Sequence, residues 1–324
     1  MARVEFAWGR GAATGMGSMP GTDVAEAQRI VLGEVPDLPY LPELPDRGAG
    51  AELIGRGAGF LVDLPVELYA GRWRVAGRGG RDLRRTHDLL ERDLDQMTEQ
   101  ADQYAGPFKV QAAGPYTLAA SIDLALGGRI LRDHGAVRDL SESLAEGLRT
   151  HVADVRRRLP AATVLLQLDE PSLPAALAGR IATDSGLHTY RSIEATTAAS
   201  TLRTVVEAVG VPVVVHCCAA DVPLDVVRSS GAAAVALDLD LVEKLDPLGE
   251  AIDAGLGLFA GGAPAPSATM ADRVREMWRR LGFPAARLPE QVVVTPACGL
   301  AGVADARAVL KACHEAARRL AEDD

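Results

Sequence analysis

The sequence predicts an α/β protein: a closed (β/α)8 TIM barrel of parallel strands and covering helices, residues 1–324 forming a single domain. Three observations carry that expectation. Short runs of β-branched residues, Val213-Val214-Val215 and Val292-Val293-Val294 being the clearest, read as strands buried on both faces. Longer amphipathic patterns separate such runs, which implies parallel strands joined by helices that cover the sheet. The chain has 324 residues, 48 % of them hydrophobic, and eight strand–helix units fit that length.

In chain order, residues 1–13 are Gly-rich and expected to be mobile. A first short strand at 13–16 leads into the turn Gly17-Ser18-Met19-Pro20-Gly21. Thr22 or Asp23 can cap a helix that runs to Glu34, since a short polar side chain accepts from the first free amides. Prolines at 36, 39, 42 and 45 remove amide donors and favour extended backbone, so this stretch is expected to be a loop over the barrel mouth. Gly59-Phe60-Leu61-Val62-Asp63 is expected to be the second strand, followed by a polar insertion to Gly80 that contains Trp73. A helix over 82–104 would put Leu83, Leu90, Leu94 and Met97 on one repeating face. Further strands are expected at 108–112, 163–168, 211–215, 233–237, 256–259 and 292–294, with helices at 116–126 and 137–159.

A formal charge of −10 argues against nucleic acid or an anionic membrane surface as the main partner. No apolar run reaches the about 18 residues of a membrane span, and Met1–Phe6 lacks the apolar core of a secretion signal, so a cytoplasmic location is expected. Four cysteines, two of them adjacent at 217 and 218, do not form a disulfide framework pattern; such thiols bind metal or catalyse. Cys313, in a helical segment, reads as a small core residue.

Chemistry concentrates where three strands end. On a strand His216 and Cys218 share a face and Cys217 points away. The strand at 233–237 runs into Asp238, and the one at 292–294 runs through Thr295-Pro296-Ala297 into Cys298-Gly299. Imidazole, thiols and a carboxylate are ligands zinc accepts. The plain alternative is that the cysteines are small hydrophobes and the histidine a satisfied core residue, and Asp240 competes with Asp238 for the carboxylate role. Asp169 and Glu170 could equally cap a helix beginning at Pro171, and Ser18 could serve only a turn. Arg81, Arg84, Arg85 and Arg156-Arg157-Arg158 read as solvated helix faces.

His216-Cys217-Cys218, Asp238 and Thr295-Pro296-Ala297-Cys298-Gly299-Leu300 resemble the zinc-ligand pattern of the catalytic domain of cobalamin-independent methionine synthases. Met16-Gly17-Ser18-Met19-Pro20, Ala113-Gly114-Pro115-Tyr116-Thr117 and Gln167-Leu168-Asp169-Glu170-Pro171 match further motifs of that family in the same order. The resemblance implies Zn2+ held by His216, Cys218, Asp238 and Cys298, with Asp238 as the ligand that a substrate thiol displaces. It implies homocysteine as the small-molecule thiol, Asp169 and more loosely Glu67 for its ammonium, and Ser18 with the Gly17-Ser18 amides for its carboxylate. It implies a methyl donor that is either methyltetrahydrofolate or a methyl-corrinoid protein, and a chain carrying the catalytic half of the longer family members.

Two departures bear on the donor. Leu118-Ala119-Ala120-Ser121-Ile122 stands where the family has a tryptophan against the pteridine, and Gly257-Leu258-Phe259-Ala260-Gly261-Gly262-Ala263-Pro264 stands where it has a histidine acid. Loss of a general acid costs roughly 10²-fold to 10⁴-fold for a leaving amine. Other expectations from the residues are a zinc-thiolate alkyltransferase acting on another thiol, of the coenzyme M type, or a non-catalytic zinc-binding barrel.

Overall fold

A computed structural model describes residues 6–322. An antiparallel hairpin of β1 (Val66–Tyr69) and β2 (Arg72–Val75) precedes six strands: β3 (Pro107–Ala113), β4 (Thr163–Asp169), β5 (Val213–Cys217), β6 (Ala234–Asp238), β7 (Gly257–Gly262) and β8 (Val292–Pro296). These six form one parallel sheet in chain order, each strand from β4 onward paired with the one before it. The sheet curls until irregular segments close it. Ala13 bridges Val294 of β8, Tyr40 bridges Lys109 of β3, and the two segments meet at a bridge between Ser18 and Glu43, all parallel. The amides of Leu41 and Lys109 donate to the carbonyls of Lys109 and Pro39, and those of Glu43 and Met19 to Gly17 and Glu43, at 2.8–3.0 Å. The expected TIM barrel is therefore observed, with two of its eight staves reduced to a few hydrogen bonds each.

Three sequence expectations change here. The proline-rich stretch is a barrel stave rather than a loop over the mouth: Leu38, Tyr40, Leu41 and Leu44 are all buried. Proline removes single donors from a strand but leaves carbonyls and the intervening amides to pair. Residues 59–63 are not a strand. Helix Leu53–Gly59 ends there, Asp63 takes a positive φ of 55°, and Phe60 packs on His151 with ring centres 4.7 Å apart. The expected mobile leader is in part packed: Trp8, Ala12 and Ala13 are buried, while residues 1–5 lie outside the described residues.

Helices cover the sheet where the 3.6-residue period foresaw them, including Val24–Glu34 capped by Asp23, Arg81–Ala101 and His134–Arg158. Outward strand residues meet them; Phe108, Val110, Val164, Leu166 and Leu168 lie in one such core. The inward residues form a separate apolar floor of Trp8, Leu38, Leu165, Val214, Phe259 and Val293. Trp8 closes the bottom of the barrel, its edge against Phe259 at 5.1 Å, and Gly257 leaves it room, since a Cβ there would come within 2.4 Å of the indole. Above that floor the inward positions turn polar: Lys109, Gln111, Gln167, Asp169 and His216, all buried.

Candidate metal centre

Strand periodicity carries the apolar floor upward into the site. Leu165 and Val214 face inward, so Gln167, Asp169, His216 and Cys218 follow on the same face toward the carboxyl ends of β4 and β5. Asp169 and His216 are paired in register, and the imidazole Nδ1 lies 2.6 Å from Asp169 Oδ1. That oxygen also accepts from Gln167 Nε2 at 2.7 Å. His216 Nε2 is buried with no hydrogen-bond partner. Cys298, one turn beyond β8, places its sulfur 3.1 Å from that of Cys218, and both thiols are free. The donor atoms of His216, Cys218 and Cys298 all lie within 4.8 Å of one another.

The electrostatics favour thiolate at the rim. The Cys218 thiol and the His216 imidazole hold the Cys298 thiol well below the ordinary range, and the Cys218 thiol is pushed up in return. Burial alone would lower the His216 pKa, but the hydrogen bond to Asp169 and the negative charge of the nearby Asp169 and Cys298 outweigh it and raise the value to about 9. Cys217 points away, and burial pushes its thiol up to about 12, which leaves it inert. An imidazole nitrogen with no hydrogen-bond partner beside two sulfurs, its other nitrogen held by a carboxylate, is a donor set that could hold a metal ion, and one that zinc accepts.

Residues 12–319 match the family described as cobalamin-independent synthase, catalytic domain. The chain belongs to that family. Membership makes the synthase domain a methyltransferase of the homocysteine S-methyltransferase type. Among solved structures it is similar to a B12-independent methionine synthase from a Shewanella species in complex with selenomethionine, at 12 % identity and a TM-score of 0.63, with 96 % of this chain and 98 % of that one covered. It is also similar to a methyltransferase from Methanosarcina mazei, at 14 % identity and a TM-score of 0.58, with 91 % and 84 % covered. At these identities the structures speak for the fold. No curated protein matches the chain.

The synthase domain brings some of the expected site residues together and not others. Asp238 does not join the imidazole and sulfurs: its Oδ1 accepts from the Asp240 amide at 3.0 Å and caps a turn of 3-10 helix, Leu239–Leu241. Because that turn follows β6 at once, the carboxylate serves its own backbone. Glu67 lies on β1, paired with Arg74 at 2.6 Å, and not with the cysteines. Ser18 does reach the rim, since a Cβ on Gly299 would fall 2.0 Å from its hydroxyl oxygen, and its carbonyl accepts from the Leu300 amide at 2.8 Å. Gly17 has φ 123° and sits close to Gln111, so it serves the turn that presents Ser18. Asp169 stands behind His216, its Oδ1 shared between the imidazole and Gln167.

Glu170 caps a helix, but not the one that follows it in sequence. Its carboxylate accepts from the amides of Tyr116 and Thr117 and from the Thr117 hydroxyl at 2.8–2.9 Å, at the start of helix Pro115–Ser121. A Cβ on Gly114 would come within 2.5 Å of that carboxyl, so the Gly114-Pro115-Tyr116-Thr117 and Asp169-Glu170-Pro171 motifs form one joint. Sequence reasoning missed Glu43, Arg56 and Lys109. Glu43 lies 3.2 Å from the Arg56 guanidinium, which also binds Asp93, and all three are buried. The available signal was alternation: Lys109 and Gln111 are polar at every second position of an otherwise apolar strand.

Proposed function

We propose that this chain transfers a methyl group to the thiol of homocysteine, giving methionine, with zinc held by His216, Cys218 and Cys298. The observation that carries the reading is the convergence of the unpartnered His216 Nε2 with two sulfurs within 4.8 Å at the carboxyl ends of barrel strands. Three protein donors are the count of a catalytic zinc site, whose fourth position serves substrate, whereas structural sites use four. A bound zinc ion would supply the Lewis acidity that keeps a substrate thiol, ordinarily near pKa 8.5, as thiolate at neutral pH.

The chain's own residues do the rest. Asp169 holds the imidazole through Nδ1 and leaves Nε2 for the metal. Ser18, packed against Gly299, and the carboxylate of Asp169 are assigned to the amino-acid end of the substrate, which needs a donor for its carboxylate and an acceptor for its ammonium. The thiol proton departs on binding, and the sulfur forms its bond to the methyl carbon as the donor's bond breaks. The donor is read as one whose leaving group needs no proton, such as a methyl-corrinoid. In support, Leu118, Ala119 and Ile122 are buried in the core, and β7 ends in Gly261-Gly262.

Calorimetric titration of the zinc-loaded protein with homocysteine, repeated in buffers of different ionisation enthalpy, tests the thiol step. Binding with release of about one proton is expected. No binding, or binding of a sulfonate thiol in its place, would overturn the choice of substrate. Mass spectrometry of methionine formed with methylcobalamin or with methyltetrahydrofolate then decides the donor.

A further inference from the structure

We propose that Lys109 and Gln167 are positioning residues: a one-way chain of hydrogen bonds from Lys109 through Gln167 and Asp169 fixes the His216 tautomer that presents Nε2 to the metal. The inference rests on the reading of His216, Cys218 and Cys298 as a metal site.

The direction of the chain follows from which groups can only give a hydrogen bond and which can only receive one. The Lys109 ammonium only donates, and its Nζ lies 2.7 Å from Gln167 Oε1. The Met16 carbonyl only accepts, and it lies 2.9 Å from Gln167 Nε2. Clamped between them, the Gln167 amide has one orientation, although amide oxygen and nitrogen are otherwise easily exchanged. Its second N–H must then point at Asp169 Oδ1, 2.7 Å away. An oxygen that receives that bond is an acceptor, so the contact of 2.6 Å to His216 Nδ1 is made by a proton on the imidazole. With Nδ1 holding its proton against Asp169, the proton that the ring gives up to a metal is the one on Nε2, so the lone pair is presented there, on the buried atom with no partner in hydrogen-bond geometry.

Lys109 is an expensive way to hold an amide. It is wholly buried inside the barrel, and burial lowers its pKa to about 8, which still leaves it charged at neutral pH. The Tyr40 ring lies 5.0 Å from its Nζ and Gln111 Oε1 lies 3.4 Å away, so the site is built around the cation. A neutral side chain would fill the space without the desolvation cost but would leave Gln167 free to turn.

Two substitutions separate this relay from a simple charge effect. Lys109→Met removes the terminal donor and a positive charge. Gln167→Glu keeps acceptors toward Lys109, removes both donors and adds a negative charge. On charge alone each should tighten binding of a dication in the same barrel. The relay predicts the opposite sign: Zn2+ affinity, measured by competition with a chromophoric chelator, weaker by about 10-fold to 100-fold in each variant, as for other outer-shell partners of ligating histidines. The visible spectrum of the Co2+-loaded protein should change as well, because the imidazole no longer holds one orientation. In an Asp169→Asn background the further loss from Lys109→Met should disappear, whereas a packing defect would add to it.

Either variant that folds decides the matter, and the thermal midpoint of metal-free protein checks that it does. Zn2+ affinity within twofold of wild type, with an unchanged Co2+ spectrum, would overturn the relay. A wild-type protein that binds no Zn2+ would instead overturn the metal site on which it rests.

Discussion

Gly299 shows how closely the rim is packed. A Cβ there would fall 2.0 Å from the Ser18 hydroxyl oxygen and 3.2 Å from its Cβ. The second contact is only slightly tight, whereas the first forces the Ser18 hydroxyl out of its place, so Gly299→Ala should cost about 1–3 kcal/mol, as overpacking does. Ser18→Ala in the same chain should recover most of it, and urea unfolding of the single and double variants checks this. If Ser18→Ala recovers nothing, the two residues do not meet as described. His151 supplies a second residue-scale test, this time of pH. It is buried against Phe60, and burial, aided by Arg56, lowers its pKa from 6.5 to about 4. The unfolded chain therefore takes up this proton at a higher pH than the folded one does. Stability from this group is complete above about pH 6.5 and is lost as pH falls toward 4, by at most about 3 kcal/mol. His151→Leu should lose less stability than wild type between pH 7 and pH 4.5, and denaturant midpoints at the two pH values give the difference. Equal losses in both proteins would show that the imidazole protonates freely in the fold.

Elements differ in how plainly they were written. Strands β3 to β8 were legible because each is a run of apolar, often β-branched residues bounded by turn formers, and the observed bounds fall within a few residues of expectation. The first stave was foreseen as a short strand at 13–16, where Ala13 bridges Val294, but the second was not, because the prolines at 39 and 42 break the pattern and its pairing rests on bridges to β3 and to Ser18 that no local signal specifies. The apolar run at 59–63 misled for the converse reason: its residues pack between helices at a helix end. At the site, the convergence of His216, Cys218 and Cys298 could be anticipated from strand-end spacing, whereas Asp238 does not join them because a turn takes up its carboxylate, which spacing alone does not specify. Lys109 was illegible as a partner of Gln167, since cross-strand register links positions 58 residues apart. Contact between elements also reverses a propensity rule at Gly147, within helix His134–Arg158. Gly→Ala in a helix interior ordinarily gains up to about 1 kcal/mol. Here the new Cβ would lie 1.6 Å from the Phe60 carbonyl oxygen, a backbone atom that cannot step aside alone. Gly147→Ala should therefore destabilise by more than about 2 kcal/mol. A thermal midpoint at or above that of wild type would mean that the helix does not rest on this carbonyl.

For the whole molecule the question is whether the proposed metal centre would hold the barrel together or the barrel the centre. In small zinc domains the binding energy is the folding energy, and removing the metal unfolds the chain. This protein is arranged the other way. The three donors stand at the ends of β5 and β8, and the strands beneath them are secured by continuous pairing across β3 to β8 and by buried apolar clusters on both faces of the sheet. Asp169 and Gln167 fix the imidazole from below through hydrogen bonds among protein groups alone. Metal should therefore add only the stability that mass action confers, about 2.7 kcal/mol at a free concentration one hundred times its dissociation constant. At roughly 2–4 °C per kcal/mol for a chain somewhat smaller than this one, that corresponds to a fall of about 5–10 °C in Tm on chelation. Far-ultraviolet circular dichroism should stay the same, unfolding should remain cooperative, and returning Zn2+ should restore both Tm and thiol binding. A metal-free protein that melts without cooperativity would show that the ion organises the strand ends, and the barrel could then no longer be treated as a scaffold formed in advance of its site.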